Sequence, residues 1–256
     1  MTNTCDNRLF GHDASAYRAR RPDYPDALFN WLAQIAPTRD LAWDCGTGTG
    51  QAAQKLAHYF CRVRATDADP RLLAQAARAP TIDYMHVSAE EATDLNAQVD
   101  LITGACSAHW FDLDRFYAQA RRALKPNGVI ALWTYNWPWT ESPAVNAILE
   151  KLKTDILGAY WGPESVYYFG RYKNLPFPFA EIEPPEFHVE IAHTSDELLD
   201  FLGTWSAPTK YKNATGVDPL ALVREELASA WRNELNAPVK VPLYMRVGCM
   251  LNGALK

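Results

Sequence analysis

Three glycines, Gly46, Gly48 and Gly50, alternate over the stretch LAWDCGTGTGQAAQKLA, which runs from Leu41 to Ala57. An acid, Asp44, stands two residues before the first of them. Glycine is the residue that enters left-handed backbone and allows close approach of the main chain. The pattern therefore predicts a strand, a tight turn and a helix start, the arrangement that brings backbone amides against a nucleotide. A second acid, Asp67, ends the run RVRATDAD, 21 residues after Gly46. A carboxylate at that strand end can accept both hydroxyls of a ribose. His109, in CSAHWFD, is the titratable side chain best placed for a reaction centre. It could take a proton from a nucleophile, orient a carboxylate, or pack beside a cofactor.

Two nucleotide classes compete for the glycine turn. A dinucleotide fingerprint reads G-x-G-x-x-G, and Gln51 stands where its third glycine would fall. The spacing thus speaks against a nicotinamide-dependent oxidoreductase, which remains the alternative together with a non-catalytic cofactor-binding protein of the same fold.

These residues need elements to hold them. Leu28, Trp31, Leu32 and Ile35 share one face of a helix predicted from Pro25 to Ile35. DLAWDC reads as a short buried strand, Gln51–Phe60 as a helix, RVRATDAD as a second strand and Pro70–Ala79 as a helix. IDYMHVS, VDLITGAC and VIALWTY supply three more strands, with a helix from Leu113 to Leu124 stopped by KPNG. Asp69 and Asp112 suit helix N-caps. Alternation of strands and helices with short loops implies a parallel sheet covered on both faces, with ligands at the carboxyl ends of the strands. After Tyr135 come a helix from Pro143 to Leu157, a strand PPEFHVEI, helices at Ser195–Trp205 and Asp218–Trp231, and a last strand VKVPLYMRV. There Pro242 suggests an edge or a bulge.

Composition narrows the classes. Of 256 residues, 48% are hydrophobic and 21% charged, enough for a packed core and too few charges for a disordered chain. A net charge of −5 disfavours a broad surface for nucleic-acid backbones. The five cysteines are odd in number and scattered, so neither a disulfide framework nor a metal site is expected. The start MTNTCDNRLFGHD has no apolar signal region and no run is long enough to span a membrane, so a soluble, cytoplasmic protein is expected.

DCGTGTG resembles the acid-x-G-x-G-x-G motif of the class I S-adenosylmethionine-dependent methyltransferases, a likeness that covers about the first 135 residues. YRARRPDYP, HWFDLDRF and Thr204–Ser206 are similar to small-molecule methyltransferases of the methyltransferase type 11, trans-aconitate methyltransferase-like kind. The resemblance implies a Rossmann-like, seven-stranded, mostly parallel sheet with helices on both faces, the last strand antiparallel, and an inserted helical, aromatic cap. It implies S-adenosyl-L-methionine as cofactor, with S-adenosyl-L-homocysteine as product. Asp44, Gly46, Thr47, Gly48 and Gly50 would meet the methionine part, with Asp44 anchoring its ammonium directly or through water. Asp67 and Ala68 would meet the ribose, and Ala89 and Glu90 the adenine. Tyr17 would pack near the sulfonium, and Arg21 would pair with the cofactor carboxylate. Residues 1–38 would then form an arm and first helix closing over the cofactor, 39–135 the cofactor-binding core, and 136–256 a substrate cap with the last two strands. Trp110, Tyr135, Trp137, Trp161 and Trp205, among the aromatics of the cap and cleft, are candidates to line a pocket for a small-molecule acceptor, a carboxylate or a phenol. A monomer or homodimer without nucleic-acid or membrane partner is expected.

Overall fold

A computed structural model describes residues 21–91, 94–234 and 239–250 of the chain. The chain enters through helix α1 (Asp26–Ile35), whose Leu28, Phe29, Leu32 and Ala33 are buried. Strand β1 (Leu41–Cys45) follows and is buried at all five positions. Then come α2 (Gln51–Leu56), β2 (Arg62–Asp67), α3 (Pro70–Leu73), β3 (Ile82–His86), β4 (Val99–Ala105), α4 (Leu113–Ala123) and β5 (Leu124–Tyr135). These five strands are mutually parallel in the order β3-β2-β1-β4-β5. The order reverses between β1 and β4, which places the switch point beside the glycine turn. Apolar layers fill both faces: Leu32, Ala53 and Leu56 on one, and Trp43, Phe116 and Ala120 on the other.

The second half is more helical: α5 (Pro143–Lys151), a π-helical continuation over Leu152–Ile156, and α6 (Ser165–Phe169). Two strands follow, β6 (Ala180–Glu181) and β7 (Phe187–Ala192), then α7 (Ser195–Leu202), α8 (Ser206–Thr215), α9 (Arg224–Glu234) and β8 (Val239–Cys249). β8 inserts antiparallel to β5 and carries β7 on its other side. The expected sheet is present, with one addition. The two-residue β6 pairs with Gly248 and Cys249, making eight strands rather than seven. Pro242 lies in an interior strand, but pairing with β5 ends at Leu243, so the proline sits where that side of the ladder has stopped.

Several elements differ from the sequence reading. α2 and α3 are shorter than predicted. KPNG lies inside β5 as a bulge: Val99 pairs with Leu124 and Leu101 with Val129, and Asn127 takes φ +62°. Finally, α8 was not foreseen. Gly203 ends α7, and a new helix starts at Ser206 with Pro208 in its first turn, where a missing amide hydrogen costs nothing.

The end of the sheet away from the switch point is pinned by Asp100. This fully buried side chain accepts from the amides of Asp40 (3.0 Å) and Leu41 (2.9 Å) and from the Thr38 hydroxyl (2.5 Å). It also pairs with Lys125 at 2.8 Å. Among the described residues no helix is long and apolar enough to cross a membrane.

Candidate active site

The turn after β1 takes the form the alternation implied. Gly46, Gly48 and Gly50 have φ of +66°, +57° and +85°. The three positions are constrained differently. A Cβ on Gly46 would lie 2.6 Å from Cβ of Ser107, and one on Gly50 would strike the Tyr84 hydroxyl. A Cβ on Gly48 would meet nothing, so only its backbone angle demands glycine. The Thr47 amide donates to the Thr66 carbonyl at 2.9 Å, tying the turn to β2.

Asp44 lies behind the turn. It is fully buried, accepting from the hydroxyls of Thr47 (2.5 Å) and Thr103 (2.7 Å), and it does not line the cavity at the switch point. Burial raises its pKa to about 6, against the pull of the two threonines. Its place is that of a post under the glycine turn. Sequence does not separate direct from water-mediated anchoring of an ammonium, because both need an acid at this position.

Asp67 does face the cavity. One oxygen accepts from the Gly48 amide (2.7 Å) and the other from the Asp69 amide (2.8 Å). Each carboxylate oxygen has two lone-pair positions, so capacity remains on both. Burial pushes this carboxyl above its usual range, opposed by the two amides. Asp69 caps α3 by accepting from Arg71, and Asp112 caps α4 by accepting from Arg115, as expected of both. Ala68, Ala89 and Glu90 also line the cavity. Glu90 accepts from the amide of Asp112 at 2.9 Å, which joins the loops after β3 and β4.

The cavity has a volume of about 780 Å³, within the range of small-ligand sites. Besides Asp67 its lining includes His109, Trp110, Tyr135, Tyr168 and Trp205, with Cys106 and Arg21. Arg21 donates to the Tyr135 hydroxyl and, at 3.2 Å, to the Thr204 carbonyl, and its guanidinium lies over the Tyr135 and Phe201 rings. Cys106, directly after β4, has φ +52°. His109 lies in the 3₁₀ turn Ala108–Trp110 with Nδ1 2.8 Å from the Tyr172 hydroxyl. Burial, and then the charge of Arg21, lower its pKa to about 3.

Of the aromatics singled out in the sequence, Trp110, Tyr135 and Trp205 reach the cavity; Trp137 and Trp161 do not. Those two stand behind Trp205 in edge-to-face contacts at 5.6 and 6.0 Å, and the Trp161 indole donates to the Lys153 carbonyl. They brace the wall and do not line it. Tyr17 lies outside the described residues. Tyr172, the partner of His109, was not recognised. It sits in an irregular stretch 63 residues downstream, and no spacing signal connects the two.

A doubly wound sheet with a left-handed glycine turn and a strand-end acid at its switch point defines a nucleotide-binding α/β protein. The comparisons with known proteins make this specific. A family model described as "Methyltransferase domain" matches residues 43–132, from β1 to near the end of β5. A methyltransferase-named protein of Dictyostelium discoideum is 30% identical over 244 residues, covering 92% of each chain. A protein of Saccharomyces cerevisiae named as an S-adenosylmethionine-dependent methyltransferase is 27% identical, covering 90% of this chain and 92% of its own. A solved structure from Anaeromyxobacter dehalogenans, named as a type II methyltransferase, is similar at a TM-score of 0.80 and 41% identity, over 90% of this chain and 98% of that one. The chain belongs to the class I S-adenosylmethionine-dependent methyltransferase family, and its cofactor is S-adenosyl-L-methionine. The residues present suit that cofactor: spare acceptor capacity on Asp67, apolar Ala68 and Ala89, and a turn whose left-handed backbone leaves Gly48 unhindered.

Proposed function

We propose that this methyltransferase acts on a small-molecule acceptor held in the same cavity as the cofactor. The observation that carries the reading is the mixed lining of one cavity. Asp67 and the glycine turn offer acceptors and open backbone, while Trp110, Tyr135, Tyr168, Trp205 and His109 offer aromatic faces and a ring nitrogen. A concave, partly apolar site of this size suits a small organic molecule better than a flat polymer surface. The acid excess of the chain points the same way.

When bound, adenosylmethionine supplies an electrophilic methyl group on a sulfonium. The protein has to align an acceptor behind that carbon and exclude water. Asp67, Ala68, Ala89 and Glu90 hold the adenosine part, Gly46, Thr47, Gly48 and Gly50 let the main chain approach the methionine part, and Asp44 fixes the turn from behind. Arg21 serves the cofactor carboxylate, since a guanidinium fork suits that group. Trp110, Tyr135 and Trp205 shape the acceptor side, and His109 stands at the reacting end. Residues 39–135 form the cofactor core and 136–256 the substrate cap with the last two strands of the sheet; of the arm and first helix over 1–38, residues 1–20 lie outside the described residues.

Calorimetric titration of nucleotide-stripped protein with S-adenosylhomocysteine, with NADH as control, tests the cofactor half. Micromolar binding of the first and none of the second is expected; binding of NADH alone refutes the assignment of the glycine turn. The acceptor half is tested by methyl transfer to a panel of small acids, phenols and amines. It fails if the protein methylates a nucleic acid or a protein and no member of the panel.

A further inference from the structure

We propose that Arg246, on β8, is a positioning residue for the transfer reaction: it holds the irregular turn that carries Tyr172, and Tyr172 holds the His109 ring at the cavity. This rests on the reading of His109 at the reacting end; the route from Arg246 to the ring rests on geometry alone.

Nothing local fixes Tyr172. It follows α6 in a stretch without regular structure, and Arg171 and Tyr172 both take φ of +57°. Neither is glycine, and residues with side chains keep such backbone where their surroundings impose it. The carbonyls of Lys173 and Leu175 accept from no backbone amide among the described residues, and Leu175 is buried. A carbonyl shut off from water has to find a donor. Here the donor is Arg246, whose Nη1 lies 2.8 Å from the Leu175 carbonyl and 3.3 and 3.4 Å from those of Lys173 and Tyr172. Glu181 grips the same guanidinium from another edge, accepting from Nη2 at 2.7 Å and from Nε at 3.2 Å, and the Phe177 ring lies beneath it. A planar fork held on two edges is fixed in orientation. The two-residue β6 thereby gains a purpose: pairing of Ala180 and Glu181 with Cys249 and Gly248 sets Glu181 beside Arg246. Tyr244, two residues earlier on the same face of β8, lies 5.1 Å under the Arg171 guanidinium. β8 thus holds the turn at Arg171 and again at Leu175.

What the turn delivers is the Tyr172 hydroxyl. The residue is fully buried, and its oxygen lies 2.8 Å from Nδ1 of His109. His109 sits in the three-residue turn Ala108–Trp110, too short to orient a side chain by itself, and it lines the cavity. Its ring meets Tyr168 edge-to-face at 5.2 Å and lies beside Trp110 at 5.4 Å. Those apolar contacts confine the ring without choosing its rotation. The hydrogen bond to Tyr172 chooses it, whichever of the two groups donates. A reacting group displaced by about 1 Å loses on the order of 100-fold in rate, so a clamp far from the chemistry can still govern it.

Ring orientation is read from the His109 Cδ2–H and Cε1–H signals in ¹H–¹³C correlation spectra of the full-length protein, assigned with His109→Gln. Ring currents from Tyr168 and Trp110 make these signals sensitive to rotation. Arg246→Met removes every donor at similar length, and Tyr172→Phe removes only the hydroxyl. Both should move the His109 signals while S-adenosylhomocysteine binds as in wild type by calorimetry. In the double variant the movement should be no larger than in Tyr172→Phe alone, as for residues acting in series. Asp100→Ala, which loosens the far end of the sheet, should leave the signals in place. Signals unmoved in Arg246→Met, moved as far by Asp100→Ala, or moved additively in the double variant overturn the proposal. Should Arg246→Met misfold, Glu181→Gln makes the same test from the exposed side of the fork, with a smaller shift expected and none overturning it. In methyl transfer to a responsive member of the panel of small acids, phenols and amines, Arg246→Met should lower kcat about 10- to 100-fold with KM for adenosylmethionine unchanged. A raised KM at unchanged kcat overturns the proposal. An unchanged kcat in His109→Gln instead sinks the reading of His109 at the reacting end, and the spectra then still decide the route from Arg246 to the ring.

Discussion

Replacing Asp67 by asparagine changes one oxygen into an NH₂ group and leaves the shape of the side chain alone. The carboxylate accepts from Gly48 at 2.7 Å and from Asp69 at 2.8 Å. An asparagine can satisfy one of these amides, but its NH₂ must then face the other, donor against donor. It also loses the charge that strengthens any hydrogen bond to a ribose hydroxyl. A hydrogen bond to a charged group contributes about 1.5–3 kcal/mol. Losing one from the cofactor thus lowers affinity by roughly 10- to 150-fold at 1.4 kcal/mol per decade. Calorimetry with S-adenosylhomocysteine measures this, and urea unfolding of the unliganded protein separates it from general damage to the turn. Burial raises the Asp67 pKa, so cofactor affinity in the wild type should weaken on acidification earlier than an ordinary carboxylate would allow, and Asp67→Asn should lack that acid limb. An Asp67→Asn protein that binds S-adenosylhomocysteine as tightly as wild type would refute the assignment of Asp67 to the ribose.

The glycines should rank by their surroundings. Gly48→Ala carries only the left-handed backbone cost of about 1–2 kcal/mol, whereas Gly46→Ala adds a collision with Ser107 and should unfold at clearly lower urea. Equal midpoints would contradict the geometry. Asp100→Ala strips the acceptor from two amides, a hydroxyl and Lys125 and should cost about 3–5 kcal/mol by the same measurement, with a loss under about 1 kcal/mol refuting its role as a pin. Asp44 has a folded pKa of about 6 against 3.8 when free, so the folded state holds its proton more tightly than the unfolded state. Its contribution to stability is therefore present at low pH and falls as pH rises from about 4 to 6, by about 3 kcal/mol at 1.36 kcal/mol per pKa unit. Asp44→Asn should remove that slope, and identical slopes in both proteins would show that Asp44 does not titrate as its burial requires.

The glycine turn, the helix caps and the parallel sheet are legible in the sequence, because they are written in local terms. Left-handed backbone needs glycine, so Gly46, Gly48 and Gly50 announce the turn wherever the chain goes afterwards. A strand-end acid after the second strand is likewise a matter of spacing, and Asp69 and Asp112 cap helices that begin within their own reach. Alternating strands and helices then fix a parallel sheet and its switch point. Tertiary structure decided the rest, since the remaining site is built from contacts between distant segments. Asp44 reads as an acid beside the turn, and only Thr103, from the neighbouring strand, shows that it is held behind it. Trp137 and Trp161 look like pocket residues until Trp205 stands in front of them. His109 is legible as a candidate, but its hydrogen-bond partner Tyr172 is brought beside it only by α6 and the turns that follow. An aromatic or a titratable group has the same letter whether it lines a cavity or packs behind one, and only the packing of the cap against the sheet settles which it does.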